Sequence, residues 1–164
     1  MMVFRLTEKL AKKLKEEPVA SKEPLRCDPY LEWYASLFRF NRAQYVITMN
    51  AASLLTVVDH GRGITDDNSY LRSVLPMIGE MLEKYDCRLI FQRVIAPNCG
   101  KIRFGKTTDK SALGSMNRMI FTIKCICEQE EISPWDMGLE VNKMIWKPID
   151  YLTPVEAFKR MKRE

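Results

Sequence analysis

The sequence holds a single histidine, His60, and none of its five cysteines (Cys27, Cys87, Cys99, Cys125 and Cys127) stands in a C-x-x-C pair. Zinc sites need Cys and His ligands at close, repeated spacings, so no metal or other cofactor is expected. An odd number of thiols without framework spacing points to reduced cysteines, and so to a cytoplasmic protein. No window comes near the roughly 20 consecutive apolar residues of a membrane span. The opening MMVFRLTEKLAKKLKEE has no long apolar core, so no secretory leader is expected. Internal repeats and low-complexity tracts are also missing.

What remains describes a folded, soluble chain. Hydrophobic residues make up 46% and charged residues 29% of 164 positions, enough to bury a sizeable core in one domain spanning 1–164. The net charge is +5 with a pI near 9.0. That excess favours an acidic partner, a nucleic acid or a phosphorylated ligand.

MVFRLT (2–7) alternates like a short strand, and Thr7 then caps a basic helix to about Glu17. Leu6, Leu10 and Leu14 repeat at helical spacing while Lys9, Lys12, Lys13 and Lys15 point elsewhere, as a solvated face or toward a polyanion. A loop covers 17–24. Asp28-Pro29 carries the cap-plus-proline signature of a helix start, and Leu31, Tyr34, Leu37 and Phe38 would share one face of that helix. QYVITMN (44–50) and SLLTVVDH (53–60) read as neighbouring strands joined through NAA, or as a strand and a short helix. Asp66 or Asp67 caps a helix to about Tyr85. RLIFQRVI (88–95) and KIRFGKT (101–107) read as strands, a helix follows over 110–128, and two short helices close the chain near 134–144 and 153–162. This order predicts an α+β domain, with a small, mainly antiparallel or mixed sheet packed by helices.

Residues 100–107, GKIRFGKT, match the G-x-x-x-x-G-K-T spacing of a phosphate-binding loop. Such a loop wraps its backbone N–H groups around phosphates and runs straight into a helix. Here Lys101, Ile102, Arg103 and Phe104 alternate in strand fashion, and Thr108-Asp109 delays the helix. A strand with Ile102 and Phe104 in a sheet, and with Lys101, Arg103 and Lys106 toward water, explains the residues better.

The helix KTTDKSALGSMNRMIFTIKCICE (106–128) is the most distinctive passage. Ala112, Leu113, Met116, Met119, Ile120, Ile123 and Cys127 form its apolar side, and Ser111, Ser115, Arg118 and Thr122 another. Gly114 inside a helix costs about 1 kcal/mol against alanine, and so asks for a close approach by another backbone or a ligand. Lys101, Arg103, Lys106, Lys110, Arg118 and Lys124 face a single acid, Asp109, over residues 101–124. The local field is positive.

The stretches LEWYASLFRFNRAQYVITMNAASLLTVV and KTTDKSALGSMNRMIFTIK resemble a family of small bacterial and plasmid- or phage-encoded proteins known as a domain of unknown function. The recognisable pieces are WYA-L, N-A-S-L and K-T---S-LGSMN, and the similarity covers roughly 2–162. Members of that family often lack the two glycines of the phosphate-loop pattern, which weighs against a nucleotide site. The resemblance carries no activity and no catalytic residues.

Two functions are expected from the residues. One is a non-catalytic binding or regulatory module that meets a nucleic acid or an acidic protein through Lys101, Arg103, Lys106, Lys110, Ser111, Ser115, Asn117 and Arg118. The other is a nucleotide- or phosphodiester-handling enzyme that uses GKIRFGKT, or His60 with Asp59 and Arg62 in general acid–base chemistry.

Overall fold

The first strand, β1 (Met2–Leu6), is buried at every residue. A strand covered on both faces belongs inside a sheet. In the computed structural model, which describes residues 1–18 and 28–162, β1 lies between β2 (Glu32–Phe40) and β5 (Ile102–Lys106) and is parallel to both. β3 (Ala43–Asn50) and β4 (Thr56–His60) extend the sheet antiparallel, in the order β4-β3-β2-β1-β5. The mixed five-stranded sheet and its helices make a compact α+β domain.

Helices cover both faces. On one, α1 (Glu8–Leu14) and α2 (Asp67–Lys84) pack Leu10, Leu14, Tyr70, Ile78 and Met81 against Phe4, Leu6, Trp33 and Val57. On the other, α4 (Lys110–Gln129) and α5 (Pro134–Asn142) pack Met116, Met119, Ile123 and Val141 against Tyr34, Ile47 and Met49. α6 (Pro154–Arg160) adds Phe158 to the first core. No helix among the described residues is long and apolar enough to cross a membrane.

Most local signals act as the sequence predicts, although Thr7 stands at the start of α1 without capping it, its hydroxyl donating instead to Ser36 Oγ at 3.1 Å. Asp66 caps α2 through a reciprocal box with Ser69, and Ser133 and Thr153 cap the two proline-started helices α5 and α6. Asn50 builds the NAA turn: its Oδ1 accepts from the N–H groups of Ala52 and Ser53, and its Nδ2 donates to the Pro29 carbonyl. The loop expected over 17–24 lies mostly outside the described residues.

Two segments differ. Asp28-Pro29 opens only a 3-10 turn, Pro29–Leu31, and the helix expected after it is the strand β2. Trp33 and Ala35 enter one core while Tyr34 and Phe38 enter the other. A central strand buries both faces, so its apolar residues do not alternate and mimic a helical stripe. Conversely RLIFQRVI is helical: α3 (Arg88–Ile90) runs into a π-helical turn, Phe91–Ile95. Ile90, Phe91, Val94 and Ile95 face the first core while Leu89 stays 58% exposed. That spacing of one and four residues is a helix stripe.

Candidate functional site

The chain leaves β1 into α1, on one face of the sheet, and leaves β5 into α4, on the other. β1 and β5 are parallel neighbours, so the carboxyl ends of these strands form a switch point. Crevices at such points are where open α/β sheets hold ligands.

Two hollows open there. The larger is a groove of about 900 Å³ between α1 and α4, floored by Leu37 and Phe38 of β2 and by Leu113 and Ile120 of α4. Lys9, Lys12, Lys13, Arg39 and Lys124 line it, with Glu8 its one carboxylate among the described residues. None of these five cations forms an ion pair among the described residues. Lys13 donates to Gln44 Oε1 at 2.7 Å. The smaller hollow, about 450 Å³, shares Glu8 and Lys12 and adds Lys106, Thr107, Glu16 and Glu17. Three carboxylates against two ammonium groups make it a poor seat for phosphate.

The phosphate-loop pattern is a strand and its exit. Residues 102–106 are β5, and α4 begins at Lys110. Ile102 and Phe104 pack against the first core. The second glycine has a structural reason: Arg5 of β1 reaches across β5, and a Cβ on Gly105 would stand 3.3 Å from Arg5 Nη1. Arg5 is 2% exposed; its Nε donates to Glu32 Oε1 at 2.7 Å and its Nη1 to the Lys106 carbonyl at 3.1 Å. The N-terminus of α4 is also occupied. The Asp109 carboxylate accepts from the N–H groups of Ser111 and Ala112, and the Asp109 N–H donates to Tyr34 Oη. An anion gains little from donors already paired with a carboxylate.

The residues singled out in the sequence therefore scatter. Asn117 lines the groove, and Lys106 borders the smaller hollow. At about 3.6 residues per turn, Lys110 falls beside the row of Leu113 and Asn117, while Ser111 and Arg118 fall on the outer side of α4. Lys101 lies at the start of β5, where its carbonyl accepts from the Met2 N–H, about 16 Å of strand from Lys106. Arg103 is half-buried and faces opposite to Ile102 and Phe104. Ser115 is 1% exposed, and its hydroxyl has no partner among the described residues. Gly114 has no close neighbour: a Cβ there would meet only the Arg118 guanidinium, at 3.9 Å. The basic face of α1 was visible in the sequence, but its meeting with Arg39 and Lys124 was not.

The remaining chemical candidates are not assembled as sites. Asp59 accepts from the Ser73 hydroxyl and from the His60 N–H. Adjacent strand residues point to opposite faces, so this carboxylate does not orient the imidazole. Burial pushes the thiols of Cys87, Cys99 and Cys127 up, opposite to what a nucleophilic cysteine requires. No group of three or more metal-ligating side chains occurs among the described residues.

A family model described as a domain of unknown function, DUF6933, matches residues 3–157. The chain belongs to this family. The match runs from β1 into α6, so the sheet, both helical layers and the groove all lie within the DUF6933 unit. No curated protein matches the chain significantly.

Proposed function

We propose that this DUF6933 protein is a non-catalytic module that binds nucleic acid by its phosphates in the groove between α1 and α4. The observation that carries this reading is the charge of the groove: among the described residues, five cations without ion-pair partners against the single carboxylate of Glu8. Clustered cations attract a polyanion by releasing its counterions. The basic surface expected over 101–118 thus contracts to Asn117 with Lys110 and Lys106 nearby, and moves toward α1. Reduced thiols fit a cytoplasmic setting, and the WYA-L, N-A-S-L and LGSMN stretches fit a bacterial, plasmid or phage origin.

The test is a titration of labelled oligonucleotides followed by fluorescence anisotropy at several salt concentrations. The logarithm of affinity should fall with the logarithm of salt by about 0.7 per neutralised phosphate on a single strand, and by about 0.9 on a duplex. Reversing two charges together, Lys12→Glu with Lys124→Glu, should weaken binding at least about tenfold. Absence of binding at low salt, or an unchanged affinity in the double variant, overturns the proposal. So does tighter capture of an acidic peptide than of any nucleic acid.

A further inference from the structure

We infer that the ligand of this groove is single-stranded nucleic acid, with one unpaired base stacked on the ring of His60; this rests on the nucleic-acid reading above. Phe38, which floors the groove, begins a ladder of three rings across β2, β3 and β4. Phe38 and Tyr45 stack at a centroid distance of 5.2 Å and an interplanar angle of 22°. Tyr45 and His60 follow at 5.6 Å and 31°. Tyr45 is half-buried, and His60, last in the row on the edge strand β4, is exposed. Among the described residues, no further strand lies beside β4 on that side.

The ladder and the groove are held as one piece. Gln44 sits between them: its side chain accepts from Lys13 of α1, and its carbonyl accepts from the Gly61 N–H at 2.7 Å, just after His60. Exposed Arg42 in the β2–β3 turn and exposed Arg62 after β4 extend the positive charge along the same rim. A cationic track beside an exposed, sequence-tolerant aromatic ring is the arrangement that holds single strands. A duplex keeps its bases paired and stacked on each other, and cannot offer one to a protein ring without opening.

The experiment compares three probes on the full chain: an oligothymidylate of about twelve nucleotides, within the usual reach of one such site, the same backbone made abasic, and a duplex of equal length. The oligothymidylate should bind about tenfold tighter than the abasic strand, and tighter than the duplex. His60→Ala should remove that difference and leave abasic binding unchanged, while His60→Phe should retain it. Circular dichroism checks that the variants fold, as expected for an exposed side chain. Equal affinity for oligothymidylate and abasic strand, or preference for the duplex, overturns the stacking inference. If Lys12→Glu with Lys124→Glu still weakens binding at least about tenfold in that case, the groove reading survives alone. Failure of every strand to bind overturns both.

Discussion

Asn142 of α5 grips the backbone of Thr56 at the start of β4. Its Oδ1 accepts from the Thr56 N–H at 2.8 Å and its Nδ2 donates to the Thr56 carbonyl at 2.8 Å, with both residues fully buried. The side-chain amide thus satisfies, on the edge strand, a donor and an acceptor that have no water to turn to. Asn142→Ala orphans both. Each buried unpaired group costs about 1–3 kcal/mol, so a loss of about 2–6 kcal/mol is expected. Urea denaturation should show a lower midpoint with an unchanged slope. A loss below about 1 kcal/mol would mean that water replaces the amide.

Ser115 presents the opposite case, a buried hydroxyl with no partner among the described residues. Ser115→Ala removes the unsatisfied group and improves helix propensity, so stability should rise by about 1 kcal/mol. Thermal unfolding would register this as an increase of about 2–4 °C. A decrease would reveal a partner for the hydroxyl.

The buried guanidinium of Arg5 depends on Glu32, whose side chain is 27% exposed. Glu32→Ala leaves the charge of Arg5 with the Lys106 carbonyl and no counter-ion. The expected cost is about 3 kcal/mol, at the lower end for breaking a buried pair because Glu32 is partly solvated. Because Arg5 also fastens the end of β5, amides of residues 102–106 should exchange faster in the variant. Unchanged exchange there would separate the ion pair from the anchoring of β5.

Glu16, just beyond α1, is raised above its ordinary value of 4.5, first by burial and then by the Asp67 carboxylate at the start of α2, which also hydrogen-bonds to it. The fold therefore favours its protonated form. The stability this contributes is fully present below pH 4.5 and is lost as pH rises through the raised folded value. At pH 7 the two carboxylates repel. Glu16→Gln should raise the melting temperature at pH 7, with the gain disappearing below pH 4.5. A gain that is constant with pH would exclude the carboxylate pair as its cause.

Local chemistry made much of the fold legible. Asp66 announced its helix because a cap acts within a few residues of its own position. Ile102 and Phe104 announced β5 by alternation. The stretch 88–95 was misread because its apolar residues are dense enough to suit either period, although Ile90, Phe91, Val94 and Ile95 carry the helical spacing. Of the candidate site, the sequence showed the lysines of α1 and Asn117 but not their proximity.

By itself the sequence determined the α+β class, the capped helices and an excess of positive charge, since each follows from neighbours along the chain. Tertiary structure alone decided that residues 32–40 form a strand, because two cores had to close over both of its faces. It also decided why Gly105 stands in the strand of GKIRFGKT, with Arg5 laid across it. And it placed the groove, where Lys12, Arg39 and Lys124 meet only because α1 and α4 pack on opposite faces of one sheet.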